Sequence, residues 1–342
     1  MRSYTAGKND DGVRLLRFCE KQCPNMPKGL LHKAFRNKRV KINGKKQDEN
    51  YRISRGDLIE LYINDEFFAP IEKDNSAHTD YSNLKIVHED ENLLIVNKPA
   101  GLLCHSDNKD EANLIDMITA YLTSTGKYVK ENENTFAPAL CNRIDQGTRG
   151  LVIAAKNYRS LADMNRIIRN DKIQKEYLCV VQGNIDDGEY KAFLTRDKTR
   201  KKVTVTAKPT EESKEIITEF HTLQSKSDYS LLQCILKTGR THQIRAHLAF
   251  LGRPIIGDRK YGKPFKGLKS QLLCAYRLTF GDIEPDNSLS YLKGSTFVVE
   301  DNPVTNFFNK LESVKTKIPK NKFGIFCLCF ILNYAFLVFL SS

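Results

Sequence analysis

Five stretches in the second half of the chain, Tyr177–Val181, Val203–Thr206, Ile216–Phe220, Leu231–Leu236 and Leu272–Phe280, have the apolar, β-branched and aromatic content of strands. Several follow one another with no helical period between them. A parallel sheet needs a long crossover, usually a helix, between neighbouring strands. These strands therefore belong to a mixed, largely antiparallel sheet, and the body is of the α+β class. Upstream, Leu84–His88, Leu93–Asn97 and Gly150–Lys156 add strands. Leu114, Ile115, Ile118 and Leu122 mark one helix, and Leu161, Met164, Ile167 and Ile168 a second. No periodicity suggests an internal repeat.

At 342 residues the chain is longer than one ordinary domain of about 100–200 residues, and its charge is divided unevenly. The net charge is +13, and the first 60 residues hold 15 Lys and Arg against 7 Asp and Glu, which places 8 of the surplus charges in that segment. Lys33, Arg36, Lys38, Arg39, Lys41, Lys45 and Lys46 form a run without an acid. Leu30, Leu31, Ala34 and Phe35 give its first half helical spacing, whereas Val40-Lys41-Ile42 alternates like a strand and meets the turn pair Asn43-Gly44. A basic helix end feeding a basic hairpin suits a phosphate backbone, which it would bind by releasing counterions. An ordinary solvated face is the plainer alternative. Nine cysteines, odd in number and without a CxxC pair, read as reduced and mostly buried thiols of a cytoplasmic protein.

Familiar cofactor signatures fail on inspection. Gly257 to Lys263 has phosphate-loop spacing, but Pro264 follows and supplies neither hydroxyl nor N–H. No G-x-G-x-x-G follows a strand, which argues against a dinucleotide or a Rossmann-type methyl donor. The histidines lack metal-ligand spacing. What remains is charge at strand ends. Asp145 lies between Arg143 and Arg149 in Cys141 to Gly150, either as a catalytic carboxylate or as a turn residue in a surface ion pair. Lys237 to Leu248 gathers Arg240, His242, Gln243 and Arg245 where a strand ends and a helix begins, a place for an anion. Lys175-Glu176-Tyr177 opens a strand, where a tyrosine is usually core.

Together these segments resemble the RluA-type family of rRNA pseudouridine synthases. Glu91 to Gly101 is similar to its first motif, Asn142-Arg143-Ile144-Asp145 with Thr148 and Gly150 to its H-R-L-D-x-x-T-S-G loop, and Lys175-Glu176-Tyr177 to its K-x-Y. Thr238 to Arg245, followed by Pro254 to Asp258 and Tyr261-Gly262, resembles its longest motif. Asn142 stands where the family has His, and Arg149 where it has a small residue. The N-terminal segment resembles the alpha-L RNA-binding module, through Arg14-Leu15-Leu16-Arg17-Phe18, Val40 to Gly44 and Gly56 to Ile59. The resemblance implies an alpha-L domain over 12–71, a linker over 72–83 and a pseudouridine synthase domain over 84–285.

It further implies isomerisation of uridine to its C5-glycoside in RNA, with large-subunit rRNA the expected partner and no cofactor or metal. Asp145 would be the nucleophile or base, Arg245 its partner, keeping it ionised and aimed, and Tyr177 the residue stacking on the flipped uracil. Arg143, Arg240, His242 and Gln243 would contact the substrate, and Lys33, Arg36, Lys38, Arg39 and Lys41 the RNA backbone. The expected protein is a cytoplasmic monomer. The competing class is a non-catalytic RNA-binding ribosome assembly factor, against which the intact Asp145, Tyr177 and Arg245 speak. Residues 286–342 fall outside the resemblance, and within them 323–340 is apolar and just long enough for a membrane span of about 17–25 residues. It reads as an anchor, as a helix packed on the body or as an extension without a role, and the expected function does not need membrane contact.

Overall fold

The computed structural model describes residues 1–68, 79–106, 108, 111–197, 199 and 202–311. The N-terminal unit comprises β1 (Arg2–Thr5), α1 (Leu15–Gln22), α2 (Lys28–Arg36), β2 (Val40–Ile42), β3 (Lys45–Lys46) and β4 (Leu58–Leu61). Its sheet has the order β1-β4-β2-β3. Leu15, Phe18, Leu31 and Phe35 turn the apolar stripes of both helices onto Val40, Ile42, Ile59 and Leu61. This unit starts earlier than the boundary at residue 12, because Arg2 to Thr5 pair with Leu61 to Leu58. Alternate residues of β1 are exposed, so the strand carries almost no apolar signal.

The body continues with β5 (Ile86–Glu89), β6 (Leu93–Lys98), α3 (Leu114–Ser124), β7 (Ala139–Leu140), β8 (Arg149–Ala155) and α4 (Tyr158–Arg169). A long run of strands follows: β9 (Ile173–Gln182), β10 (Gly188–Asp197), β11 (Lys202–Thr206), β12 (Lys214–Lys226) and β13 (Tyr229–Leu236). Then come α5 (Gln243–Phe250), β14 (Leu273–Phe280), β15 (Thr296–Val298) and α6 (Pro303–Lys310). They build one sheet of order β11-β10-β12-β13-β9-β14-β8-β6-β5, with β15 added on β14 and β7 on β8. Among these strands only β8 and β14 pair in parallel. The α+β reading with a largely antiparallel sheet is the observed architecture. Alternation in the strands separates two core layers. Leu151, Ile153, Val180 and Cys274 pack with Met164 and Ile167 of α4 and Val304 and Phe308 of α6. Val152, Tyr177, Val181 and Ala275 pack with Ile118 of α3 and Ile244 and Leu248 of α5.

Two sequence expectations are corrected here, and one strand is added. Lys175-Glu176-Tyr177 does not open its strand, since β9 starts at Ile173. β10 carries no strand reading in the sequence because its exposed side chains alternate with few apolar ones. The body does not end at 285. Leu289, Leu292, Val299, Val304 and Phe308 are buried in the main core, and the Asn302 side chain caps α6 by accepting from Val304 N–H at 2.9 Å. Short polar connections hid this segment from a motif-based boundary. The apolar stretch 323–340 lies outside the described residues, as do 72–78 of the expected linker. Among the described residues no helix is long and apolar enough to cross a membrane.

The two units meet at a buried carboxylate. Asp10 is 2% exposed and accepts hydrogen bonds from Gly7 N–H at 2.8 Å, Asn134 Nδ2 at 2.7 Å and Thr135 Oγ1 at 2.9 Å. Beside it Asn9 donates to Glu133 Oε1 at 2.6 Å and accepts from Tyr158 N–H at 3.0 Å, at the start of α4. A carboxylate with its acceptor sites filled is tolerated in such a place, whereas an unpaired one is not.

The extension past 285 generates a prediction. Phe308→Ala removes a side chain 1% exposed and should cost about 3–5 kcal/mol in thermal or denaturant unfolding. A chain ended at 285 should fail to fold, whereas one ended after Val314 should melt like the full chain. Equal melting of all three would place α6 outside the cooperative core.

Candidate active site

Cys141 to Thr148 form the loop that carries Asp145 from β7 into β8. Its base is closed by Asn142, whose Oδ1 accepts from Ile153 N–H at 2.8 Å and whose Nδ2 donates to Leu151 O at 3.3 Å. Thr148 N–H donates to Asp145 O at 3.0 Å and completes a turn. Gly150 then enters the strand at φ +126°, and a Cβ there would lie 2.2 Å from Ala275 O. Only glycine permits both the backbone angle and the approach of β14. From below, the wholly buried Lys98 donates from Nζ to Pro99 O at 2.9 Å, Leu102 O at 2.7 Å and Gln146 O at 3.1 Å. Burial lowers its pKa to about 8, so at neutral pH the ammonium is retained and its three N–H groups match three carbonyls.

Arg245, the third residue of α5, reaches this loop. Its NH1 donates to Asp145 Oδ2 at 2.7 Å, while Nε and NH2 grip Asp258 Oδ2 at 2.7 Å and Oδ1 at 3.0 Å. Burial alone would lower the Arg245 pKa; the hydrogen bonds to Asp258 and Asp145 outweigh it and raise it. Burial likewise works against Asp258, which is nevertheless held below the usual carboxylate range by Arg245 and by the Lys260 and Tyr261 amides. Tyr177 rises from β9 into the same core layer, 8% exposed. Burial first, and then the negative charge of Asp145, push its phenol upward. His242 completes the rim, with Nε2 3.9 Å from Asp145 Oδ1 and Nδ1 2.8 Å from Tyr261 Oη. Its pKa is lowered, chiefly by burial.

Residues 92–250 match the family model described as RNA pseudouridylate synthase. The "uncharacterized RNA pseudouridine synthase" of Mycoplasma pneumoniae is 35% identical over 295 residues, covering 82% of this chain and 89% of that one. The chain belongs to the RNA pseudouridine synthase family. A Bacillus subtilis RNA pseudouridine synthase is 30% identical, covering 75% of this chain and 82% of its own. Ribosomal large subunit pseudouridine synthase C of Rickettsia bellii is 32% identical, covering 73% and 82%.

In this synthase the fold brings Asp145, Arg245, Tyr177 and His242 to one place from β9, α5 and the loop before β8. Arg143 and Arg240 are exposed. Gln243 is corrected: at 2% exposure it accepts from Thr238 Oγ1 at 2.9 Å and Arg240 N–H at 3.0 Å, and donates to Ile217 O at 3.1 Å and Thr218 Oγ1 at 3.0 Å. With all these bonds made inside the protein, it pins the loop before α5 and has nothing left to offer RNA. Arg149 shares the strand parity of Leu151 and Ile153, so it points into the α4 and α6 layer, away from Tyr177. In the N-terminal unit Lys33, Arg36, Lys38 and Arg39 are exposed, and Lys41 Nζ sits 4.9 Å from the centre of the Tyr62 ring.

Lys98, Asp258 and Tyr261 are functional neighbours that the sequence reading did not single out. Each lies inside a quoted motif, and a charged or hydroxylated residue close to glycine or proline was the available signal. The segment Gly257 to Lys263, rejected as a phosphate loop, instead delivers Asp258 and Tyr261 to the site.

One residue of α5 makes the synthase sensitive to acid. His247 is wholly buried, edge-on to Phe220, with Nδ1 3.1 Å from Thr218 Oγ1, and burial lowers its pKa to about 4. The unfolded chain takes up this proton near pH 6.5, and the folded chain only near 4. The stabilisation is therefore complete above about 6.5 and is lost as pH falls towards 4. Between pH 7 and 5 the loss should be about 2 kcal/mol. His247→Gln should flatten that slope in urea unfolding; an unchanged slope would locate the acid sensitivity elsewhere.

Proposed function

We propose that this synthase converts uridine to pseudouridine in large-subunit ribosomal RNA, with Asp145 as the reacting carboxylate. The observation that carries the assignment is the contrast within one ion pair: the Asp145 side chain is 23% exposed, whereas Arg245, which holds its Oδ2, is 9% exposed. A buried cation thus holds one oxygen of a partly exposed carboxylate. The relatives named for the large ribosomal subunit support the substrate, and so does the basic edge of the N-terminal unit. A cytoplasmic monomer acting without a cofactor completes the reading.

The reaction breaks the N1–C1′ bond, rotates the base, forms C5–C1′, removes the proton from C5 and leaves one on N1, with no net redox change. Asp145 acts at the sugar C1′, at the base C6, or as the base of an elimination route. Arg245 keeps the carboxylate oriented through each. Tyr177, a phenol protonated at neutral pH, offers a ring for the uracil to stack on and a hydroxyl through which the C5 proton is passed. The target nucleotide has to leave its stack to reach this site. The exposed Arg143 and Arg240 contact the RNA near the target nucleotide, and Lys33, Arg36, Lys38, Arg39 and Lys41 engage phosphates further along it.

Asp145→Asn should abolish tritium release from C5-labelled uridine in rRNA transcripts while leaving RNA affinity within a few-fold. The amide keeps the size of the side chain and loses its nucleophilicity. Substantial turnover by this variant would sink the assignment.

Replacing Lys38, Arg39 and Lys41 together by Gln should weaken RNA binding and flatten its dependence on salt. Each lost phosphate contact removes roughly 0.7–0.9 from the log–log slope. An unaltered slope would mean that the basic edge serves another partner.

A further inference from the structure

Arg245 occupies one oxygen of Asp145, and something else has to define the position of the other. His242 Nε2 lies 3.9 Å from Asp145 Oδ1. On the far side of the imidazole, Nδ1 lies 2.8 Å from Tyr261 Oη. That phenolic oxygen already accepts Val203 N–H from β11 at 3.1 Å, and donating its own proton to Nδ1 would complete its bonding. A neutral imidazole that accepts at Nδ1 carries its single proton on Nε2. The N–H is then aimed at Asp145.

The surroundings hold this arrangement from several directions. His242 sits at φ +54°, a left-handed conformation uncommon for a residue other than glycine, and its carbonyl accepts the first helical bond of α5, from Ala246 N–H at 2.9 Å. The Tyr261 ring meets the imidazole edge-on at 5.6 Å and lies 5.2 Å from the Arg245 guanidinium carbon. Its backbone N–H donates to Asp258 Oδ1 at 3.1 Å, the same carboxylate that clamps Arg245. One aromatic residue therefore touches both groups that flank Asp145.

We propose that Tyr261 and His242 are a positioning pair for Asp145: Tyr261 fixes the Nε2–H tautomer of His242, and that N–H steers the carboxylate oxygen left free by Arg245. At 3.9 Å the contact is longer than a hydrogen bond. Such contacts in substrate-free sites commonly tighten when the reactive complex forms. His242 accordingly works on the reaction through Asp145, in place of the RNA contact expected from its position in a basic segment. The inference rests on Asp145 being the reacting group.

The test combines steady-state kinetics on an rRNA transcript with the variants Tyr261→Phe, His242→Ala and His242→Gln. A glutamine amide can place an N–H near the position of Nε2. Tyr261→Phe and His242→Ala should each lower kcat at least about tenfold with KM unchanged, as expected for a misplaced reactive group. His242→Gln should recover part of that loss, and Tyr261→Phe combined with His242→Ala should be no slower than His242→Ala alone. A raised KM with kcat intact, or losses that multiply, would overturn the pair. In the wild-type protein, nitrogen-15 NMR should report His242 as protonated on Nε2, and the opposite tautomer would overturn the proposal without any variant. An active Asp145→Asn would refute the underlying reading. Full activity of Tyr261→Phe beside an inactive Asp145→Asn would refute only the positioning pair.

Discussion

A guanidinium held between two carboxylates organises the whole site. Arg245 is buried on α5, Asp258 is wholly buried in the segment after it, and Asp145 comes from a loop a hundred residues earlier in the chain. Removing charges from water carries a cost that is recovered only when geometry and the remaining hydrogen bonds are satisfied. Here they are: the guanidinium spends Nε and NH2 on Asp258, and Asp258 Oδ1 takes two further backbone N–H groups. Loss of either carboxylate would leave a buried cation short of a partner, a change that typically costs 3–5 kcal/mol in proteins. The pair that holds Asp145 is thus also part of what keeps α5 against the sheet.

Around this core the Asp145 loop is fixed by backbone contacts more than by side-chain packing. Lys98 gathers three carbonyls, one of them in the loop itself, and Gly101 N–H donates to the same Gln146 O at 2.8 Å. Asn142, which replaces the histidine of the family pattern, bonds across the base of the loop to β8 and so fills a structural place with an amide. Arg149, the other departure, points into the opposite layer. Both differences are therefore compatible with the geometry at Asp145.

Much of this was legible in the sequence, for reasons that can be named. The strands read correctly where the sheet is covered on both faces, as in β6 and β8, because double burial produces continuous apolar runs. The helices α3 and α4 were visible from their spacing. The site was legible because Asp145, Tyr177 and Arg245 stand in short charged or aromatic motifs. β1 and β10 escaped because half-exposed strands dilute the apolar signal, and α6 because it is eight residues long and separated from the body by polar turns. Gln243 was misread since a polar residue in a basic segment looks solvent-facing until its four partners are in view. Lys98 was passed over because a lysine in an apolar strand gives no hint that three carbonyls converge on it.

The place of β14 in the sheet has a consequence for how the enzyme comes into being on the ribosome. β9, which carries Tyr177, and β8, which follows Asp145, are not neighbours; β14 lies between them, and the close passage of Gly150 against Ala275 belongs to that insertion. As the polypeptide emerges N-terminus first, the two halves of the sheet can form but have no shared edge until residues 273–280 are available. The strand that joins them, β14, is the last but one to be made, and bridging such distant segments is the slow kind of folding event. A chain that stops short of β14 would thus hold the whole Asp145 loop while the halves of the sheet that carry Asp145 and Tyr177 still share no edge.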